Sequence, residues 1–133
     1  MMFQINHVAI SVTNMERSVS FYKKFGFKEY KSWKAEDESI QISMLKLGDT
    51  VLEIFCYQEN KKLPETAKST TTDLPVIGTK HFAFGVDEIE KAKSFVIENN
   101  IYENIDIKVG RLGKPYFFIQ DPDGILVEII ENG

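Results

Sequence analysis

The sequence contains two histidines, and each has a glutamate at almost the same distance downstream. Glu53 follows His7 by 46 positions, and Glu128 follows His81 by 47. The surrounding stretches are rich in β-branched and aromatic residues, so strands are expected there. Imidazole and carboxylate groups are ligands for divalent transition metals such as Zn, Ni, Fe and Co. The residue types and their spacing therefore favour a metal site.

A structural role is the alternative for any one of these four residues. A lone strand histidine is more often a satisfied structural residue than a ligand, and a strand glutamate commonly lies on a solvated face. Alternation along each strand, however, places both glutamates on the face of apolar neighbours. An unpaired buried carboxylate costs several kcal/mol, so a partner is required. Because all four residues occur at matching positions, we favour the metal site over four separate structural roles.

The elements that would position these residues form an internal repeat. Residues 6–30 and 80–104 align at an offset of 74, with seven identical positions. In both copies a strand-like run passes through a polar turn into a helical stretch. Thr13 or Asn14 is expected to cap the first helix, which Gly26 ends, and Asp87 is expected to cap the second.

Each predicted helix is followed by three strand-like runs. One is expected over residues 28–34 in the first copy and 104–109 in the second. Antiparallel hairpins follow, with turns at 48–49 and 121–124. The order in each half is therefore β-α-β-β-β. We predict an α+β fold of eight strands and two main helices, built from a module over 1–59, a linker over 60–77 and a module over 78–133.

Length and composition exclude several classes of protein. The 133 residues suit one domain, and 16 basic against 20 acidic side chains give a net charge of −4, which argues against nucleic-acid binding. No apolar run reaches the roughly 20 residues that a membrane helix needs, and the first residues do not resemble a signal peptide. We therefore expect a cytoplasmic protein with a small-molecule substrate and no membrane or nucleic-acid partner.

Four motifs together carry a resemblance to a known family: HVAISVTNMERSVSFYKKFGF, LEIFCY, KHFAFGVDEIEKAKSFV and YFFIQDPDGILVEIIE. Nearly all of the chain except the linker resembles the vicinal oxygen chelate superfamily, which contains glyoxalases, epimerases, bleomycin resistance proteins and extradiol dioxygenases. The resemblance implies two modules curling into an open barrel-like sheet around one divalent ion (Ni, Co, Zn or Mn). It implies that His7, Glu53, His81 and Glu128 are the ligands. It also implies a homodimer, often with modules of two chains around one metal.

The ligand set narrows the reaction that the resemblance implies. Dioxygenases of this superfamily need no carboxylate at the position of Glu53, whereas glyoxalase I and the epimerases use a ligand there. The chain is therefore expected to resemble glyoxalase I, a lyase or isomerase that moves a proton next to a carbonyl in a 2-oxoaldehyde thiol adduct. The metal would stabilise the enediolate, and Glu128, or else Glu53, would be the base.

Two departures keep other activities open. Ser11 and Tyr57 stand where bacterial glutathione-dependent relatives carry an arginine and an asparagine, so the thiol need not be glutathione. The stretch KVGRLGKPYFF is similar to a loop of methylmalonyl-CoA epimerases, which makes an epimerase the second possibility. A metal-free module that binds small molecules, as antibiotic-resistance relatives do, is the third.

Three further residues are assigned from their positions. Arg111 and Lys114 are predicted to bind a carboxylate or phosphate of the substrate, although solvated hairpin charges are the alternative. Cys56 lies one residue off the Glu53 face of its strand. It is therefore predicted to be a small buried side chain that points away from the metal.

Overall fold

The computed structural model describes residues 1–133 and divides into two compact units, Met1–Lys62 and Leu63–Gly133. Each unit contains one four-stranded mixed sheet and one main helix. The predicted α+β class, the eight strands and the repeated β-α-β-β-β order are thereby confirmed. That both modules together enclose one cavity stays a prediction.

The first unit follows the predicted order of elements. Its sheet has the order β1-β4-β3-β2, with β1 parallel to β4 and the other neighbours antiparallel. The elements are β1 (Val8–Val12), α1 (Met15–Lys23), β2 (Lys28–Lys34), β3 (Ile40–Leu47) and β4 (Thr50–Tyr57).

The second unit repeats this topology with the order β5-β8-β7-β6, and β5 is parallel to β8. Two short helices precede the sheet. No helix of the structure is both long enough and apolar enough to cross a bilayer. The elements are a 3₁₀ turn (Glu65–Lys68), α2 (Thr70–Asp73), β5 (Phe82–Val86), α3 (Ile89–Glu98), β6 (Lys108–Val109), β7 (Pro115–Gln120) and β8 (Leu126–Glu131).

Helix α1 begins and ends close to the predicted positions. The side chain of Asn14 accepts a hydrogen bond from the backbone N–H of Arg17, as an N-cap does, and so confirms one of the two predicted caps. Val19 and Tyr22 are buried on the inner face of the helix. The helix ends at Lys23, and Gly26 turns the chain with a φ of 104°, a conformation that favours glycine.

The predicted cap of α3 is wrong. The N-cap is Glu88, not Asp87, and its side chain accepts no capping hydrogen bond. The backbone N–H of Ile89 donates instead to the Glu131 carboxylate at 2.9 Å. A carboxylate from the last residue of β8 therefore satisfies the first turn of the helix and complements its dipole.

Strand β6 is shorter than predicted. Residues 104–107 do not pair, and only Lys108 and Val109 do, opposite Tyr116 and Pro115. The chain before them is folded inward, because Ile101 is buried and Tyr102 donates a hydrogen bond to Gln120. A tight turn, in which the N–H of Ile105 donates to a nearby carbonyl, keeps this segment out of the sheet.

The segment between the modules carries two short helices that bind to the second unit. Gln120 Nε2 donates to the carbonyl oxygen of Lys68 at 3.0 Å. Lys80 Nζ donates to the carbonyl oxygen of Asp73 at 2.9 Å, lies 3.4 Å from the Asp73 carboxylate and also donates to the carbonyl oxygen of Val76. These contacts fix both short helices on the unit that contains β5–β8.

The two predicted hairpin turns are present and have structural explanations. A two-residue loop of Gly48 and Asp49 joins β3 to β4, and Leu47 pairs with Thr50 across it. In the second hairpin the buried Asp121 carboxylate accepts hydrogen bonds from the N–H groups of Asp123 and Ile125. These bonds account for Asp121 as a turn residue.

Candidate metal-binding residues and the faces that carry them

In the first unit, the alternation of β4 separates a buried face from a half-buried one. Leu52, Ile54 and Cys56 are at most 7% exposed, whereas Glu53 lies on the other face, with a side chain that is 20% exposed. Cys56 is therefore buried and points away from Glu53, as predicted. The expectation that Glu53 occupies a fully buried core position is wrong, because that core lies on the opposite face of the strand.

His7 precedes β1 directly and lies on the same face as Glu53. The register pairs Ala9 with Glu53, and residues two apart in a strand share a face. His7 Nε2 lies 3.4 Å from Glu53 Oε1. The strand order therefore brings together two residues that are 46 positions apart in the sequence.

The other nitrogen of the His7 ring has a polar partner. Its Nδ1 lies 2.7 Å from Oδ1 of Asn6. Because a carbonyl oxygen only accepts, Nδ1 carries a proton, and Nε2 is the ring nitrogen that faces the Glu53 carboxylate. When Nε2 carries no proton, it and the carboxylate oxygen are two acceptors 3.4 Å apart, which repel each other unless positive charge lies between or beside them. A metal cation would supply that charge.

The second unit builds an equivalent pair. Ala83 pairs with Glu128 as Ala9 pairs with Glu53, and His81 directly precedes β5. His81 Nε2 lies 3.7 Å from Glu128 Oε1, and the two side chains are 21% and 17% exposed. Here too the fully buried neighbours in the strand, Val127 and Ile129, point to the other face.

His81 is contacted by an aromatic ring, whereas His7 is contacted by the amide side chain of Asn6. The His81 and Phe118 rings have centroids 4.8 Å apart at 89°, an edge-to-face arrangement. Phe118 pairs with Glu128 across β7 and β8, so the same row of the sheet carries the carboxylate and the ring that contacts the imidazole. Tyr116 contacts Phe118 in turn, with centroids 5.8 Å apart.

Each unit contains a pair of donors of the types that bind divalent ions. Each module contributes one imidazole nitrogen and one carboxylate oxygen, both ligand types that Ni, Co, Zn and Mn accept. No group of three or more His, Cys, Asp and Glu side chains in the structure is arranged to hold a metal ion. A four-residue set drawn from both modules therefore stays a prediction.

The two predicted substrate-binding cations lie in the hairpin between β6 and β7. Arg111 is exposed, and Lys114 is half-buried with its ammonium group beside the backbone of Gly133. Neither forms a hydrogen bond or an ion pair with His81 or Glu128. Their role in substrate binding stays a prediction.

Two residues at these sites were not identified from the sequence. Asn6 could have been noticed as the polar neighbour of His7, but the side chain of an adjacent residue is rarely placed to form a hydrogen bond with the imidazole ring. Phe118 lies opposite Glu128 because the hairpin loop spans five residues, 121–125, whereas counting back from the predicted turn at 121–124 would have given Phe117.

Comparisons with known proteins agree with this architecture. Residues 4–129 match the family model described as "Glyoxalase/Bleomycin resistance protein/Dioxygenase superfamily". The chain is 31% identical to the uncharacterized protein YwkD of Bacillus subtilis over 96% of both chains. It is also 31% identical to the mitochondrial methylmalonyl-CoA epimerase of Dictyostelium discoideum, over 97% of this chain and 78% of that protein.

Among solved structures, a glyoxalase family protein from Enterococcus faecalis superposes with a TM-score of 0.79 at 30% identity. The match covers 96% of this chain and 97% of that one. Sequence, topology and the repeated His–Glu pairs thus agree. The chain belongs to the glyoxalase/bleomycin resistance protein/dioxygenase superfamily, the vicinal oxygen chelate superfamily.

Proposed function

We propose that this protein is a metal-dependent enzyme that transfers a proton next to a carbonyl group in a small-molecule thiol adduct. The observation that carries the proposal is the pair of repeat-equivalent contacts, 3.4 Å between His7 and Glu53 and 3.7 Å between His81 and Glu128. A fold that needed these residues only for stability would not require the same two ligand types at the same positions of both modules.

The four residues have distinct proposed roles. His7 and His81 would hold the ion through Nε2, and Glu53 and Glu128 would complete the set with carboxylate oxygens. When bound, the ion acts as a Lewis acid that stabilises negative charge developing on the substrate carbonyl oxygen. A carboxylate is a weak base for a carbon acid, so most of the rate enhancement must come from that stabilisation.

Glu128 is the proposed base. Its carboxylate is half-buried beside His81 and takes the proton from the carbon adjacent to the carbonyl. Glu53 is the second acid–base group, supplied by the other module. Return of the proton to the neighbouring carbon gives a glyoxalase I-like lyase or isomerase, which is the activity we favour.

An epimerase is the second candidate. Return of the proton to the opposite face of the same carbon would invert its configuration, and a second carboxylate suits that step. The 31% identity to the Dictyostelium methylmalonyl-CoA epimerase favours this reaction, with an acyl thioester as the substrate. Both candidates share the proton abstraction, the metal and the two glutamates.

Solvent deuterium tests the shared step. Metal-loaded protein is incubated in D₂O with the methylglyoxal–glutathione adduct, the methylglyoxal–coenzyme A adduct or methylmalonyl-CoA, and NMR follows deuterium at the substrate carbon. We expect incorporation of deuterium into at least one substrate. Rearrangement of a methylglyoxal adduct would identify the lyase or isomerase and distinguish it from the epimerase. Absence of incorporation with all of them, or oxygen consumption with an aromatic diol, would contradict the proposal.

Two glutamates in the same strand provide a matched pair of variants. Glu128→Gln should reduce exchange by at least about a hundredfold, in the range of a lost general base. Glu131→Gln changes the same group in β8 on the opposite face, where the carboxylate caps α3, and should leave exchange unchanged. Full activity of Glu128→Gln would rule out Glu128 as the base and leave Glu53 to be tested.

A further inference from the structure

The face of the first sheet that carries Glu53 continues outward to the edge strand β2. Glu53 pairs with Met44 on β3, and Met44 pairs with Lys31 on β2. Paired residues share a face, and neighbouring strands lie about 4.8 Å apart. The backbone of Lys31 is therefore about 10 Å from that of Glu53, on the same face.

Three lysines meet at this corner of the face. Lys28 on β2 and Lys46 on β3 are direct cross-strand partners, and Lys31 follows after a register shift at residues 29–31. Lys46 Nζ lies 4.5 Å from the centroid of the Tyr30 ring, which holds it by a cation–π contact. Two like charges directly opposite each other in a sheet repel and destabilise the pair.

No carboxylate compensates this charge. None of the three lysines forms an ion pair in the structure. The acidic residue within the same strand, Glu29, accepts a hydrogen bond from the buried Ser43 and so points to the opposite face. In a chain whose net charge is −4, this corner is a local concentration of unpaired positive charge.

An apolar strip runs beside the row that joins Lys31 to Glu53, on the side away from Lys28 and Lys46. The row next to Glu53, Met44 and Lys31 contains Phe55, Ile42 and Trp33, which pair with one another in order across β4, β3 and β2. Phe55 and Ile42 are half-buried, and Trp33 is 55% exposed. A large exposed aromatic side chain beside cations is suited to a ligand with flat or apolar groups and negative charge.

We propose that Lys28, Lys31 and Lys46, with Trp33 beside Lys31, form a subsite for a carboxylate or phosphate of the thiol that carries the substrate. The inference rests on the proposed function, which places the reacting carbonyl at the metal ion that Glu53 helps to hold. The thiol lies along Met44, with Ile42 and Trp33 at one side, and its anion reaches the lysines about 10 Å away. The substrate class is thereby narrowed to adducts or thioesters of an anionic thiol.

Lysines on an edge strand also have a general structural use, since they discourage pairing with the edge of another sheet. That use does not require the three ammonium groups to share one face. Lys34, in the same strand, lies on the other face and pairs with Glu38 at 3.4 Å. It therefore serves as the control for an edge lysine without a role in ligand binding.

Trp33 makes the test direct, because it is the only tryptophan of the chain. The quenching of its fluorescence is titrated with three thioethers: S-methylglutathione with carboxylates, S-methyl coenzyme A with phosphates, and the uncharged N-acetyl-S-methylcysteamine. The proteins are wild type, the triple variant Lys28→Gln, Lys31→Gln, Lys46→Gln, and the single variant Lys34→Gln. Circular dichroism and light scattering verify that each variant is folded and not aggregated.

We expect at least one anionic thioether to bind wild type and Lys34→Gln equally, and to bind the triple variant at least about tenfold more weakly. Raising the salt concentration should weaken this binding only when the three lysines are present. The stronger of the two anionic probes identifies carboxylate or phosphate as the group. The subsite would be overturned if the triple variant bound the anionic thioethers as tightly as wild type does, or if the uncharged thioether bound as tightly as the anionic ones. Aggregation of the triple variant at unchanged affinity would assign the lysines to edge protection.

The binding titration is independent of turnover. Lysine-dependent binding without any deuterium exchange would refute the proposed function and leave the subsite standing. Deuterium exchange by wild type together with unchanged probe affinity of the triple variant would refute the subsite and leave the proposed function standing.

Discussion

Asn6 and His7 are adjacent in the chain, and their side chains form a 2.7 Å hydrogen bond between Oδ1 and Nδ1. The bond determines which ring nitrogen is available, because Nδ1 is engaged with Asn6 and Nε2 faces the Glu53 carboxylate. The second module orients its histidine differently, through the Phe118 ring. The two equivalent imidazoles are therefore held by one polar and one aromatic contact.

Replacing Asn6 should weaken metal binding. Asn6→Ala removes the acceptor for the Nδ1 proton, so the His7 ring loses its fixed tautomer and orientation. Partners of ligating histidines typically change affinity by about 10- to 100-fold, and we expect a loss in that range. Competition with a chelating dye measures the affinity, and Asn104→Ala, at an exposed position, is the control. Equal affinities of Asn6→Ala and wild type would contradict this role of the hydrogen bond.

Phe118 and Phe117 offer a matched pair of adjacent positions. Phe118→Leu removes the ring that contacts His81 and should weaken metal binding several-fold, with a modest loss of stability. Phe117 is fully buried on the other face, so Phe117→Leu should lower the free energy of unfolding by about 1–3 kcal/mol and leave the metal affinity of the folded protein unchanged. A larger loss of metal affinity in Phe117→Leu than in Phe118→Leu would show that the Phe118 contact does not position His81.

The cap of α3 can be tested by two substitutions. Glu131→Ala should lower the free energy of unfolding by about 1 kcal/mol, because the N–H of Ile89 loses its acceptor and the helix dipole loses a negative charge. Asp87→Ala should change stability by less than about 0.5 kcal/mol, since the Asp87 side chain is not the cap. Urea unfolding of both variants measures the difference. A larger loss for Asp87→Ala would restore the cap expected from the sequence.

Local patterns were sufficient to predict most of the fold. The alternating strand runs, the capping residue Asn14 and the turn glycines are signals that lie within a few positions of the elements they predict. The repeat supplied the strand pattern a second time. The cap of α3 could not be predicted in this way, because the Glu131 carboxylate reaches Ile89 from 42 positions away. For β6, the inward packing of Ile101 and Tyr102 overrode a strand-like composition.

For the candidate site, the sequence predicted which residues pair but not their burial. The alternation of β4 correctly placed Cys56 on the face opposite Glu53, but the glutamate faces were expected to be core faces. Which of the two faces a helix covers depends on tertiary packing, and the glutamate faces proved to be the half-buried ones. The lysine corner was not noticed because its members lie in two strands and converge only through the register of β2 and β3.

The metal content of the purified protein tests the central claim most directly. The full chain is prepared without chelator, loaded in turn with Ni, Co, Zn or Mn, dialysed, and analysed for metal per chain. We predict one ion per chain for wild type and for the control Glu131→Gln, and strong loss of metal in each of His7→Ala, Glu53→Ala, His81→Ala and Glu128→Ala, with the fold retained. Failure of wild type to hold any of these metals, or retention of the ion by the His7 and Glu53 variants, would contradict the account.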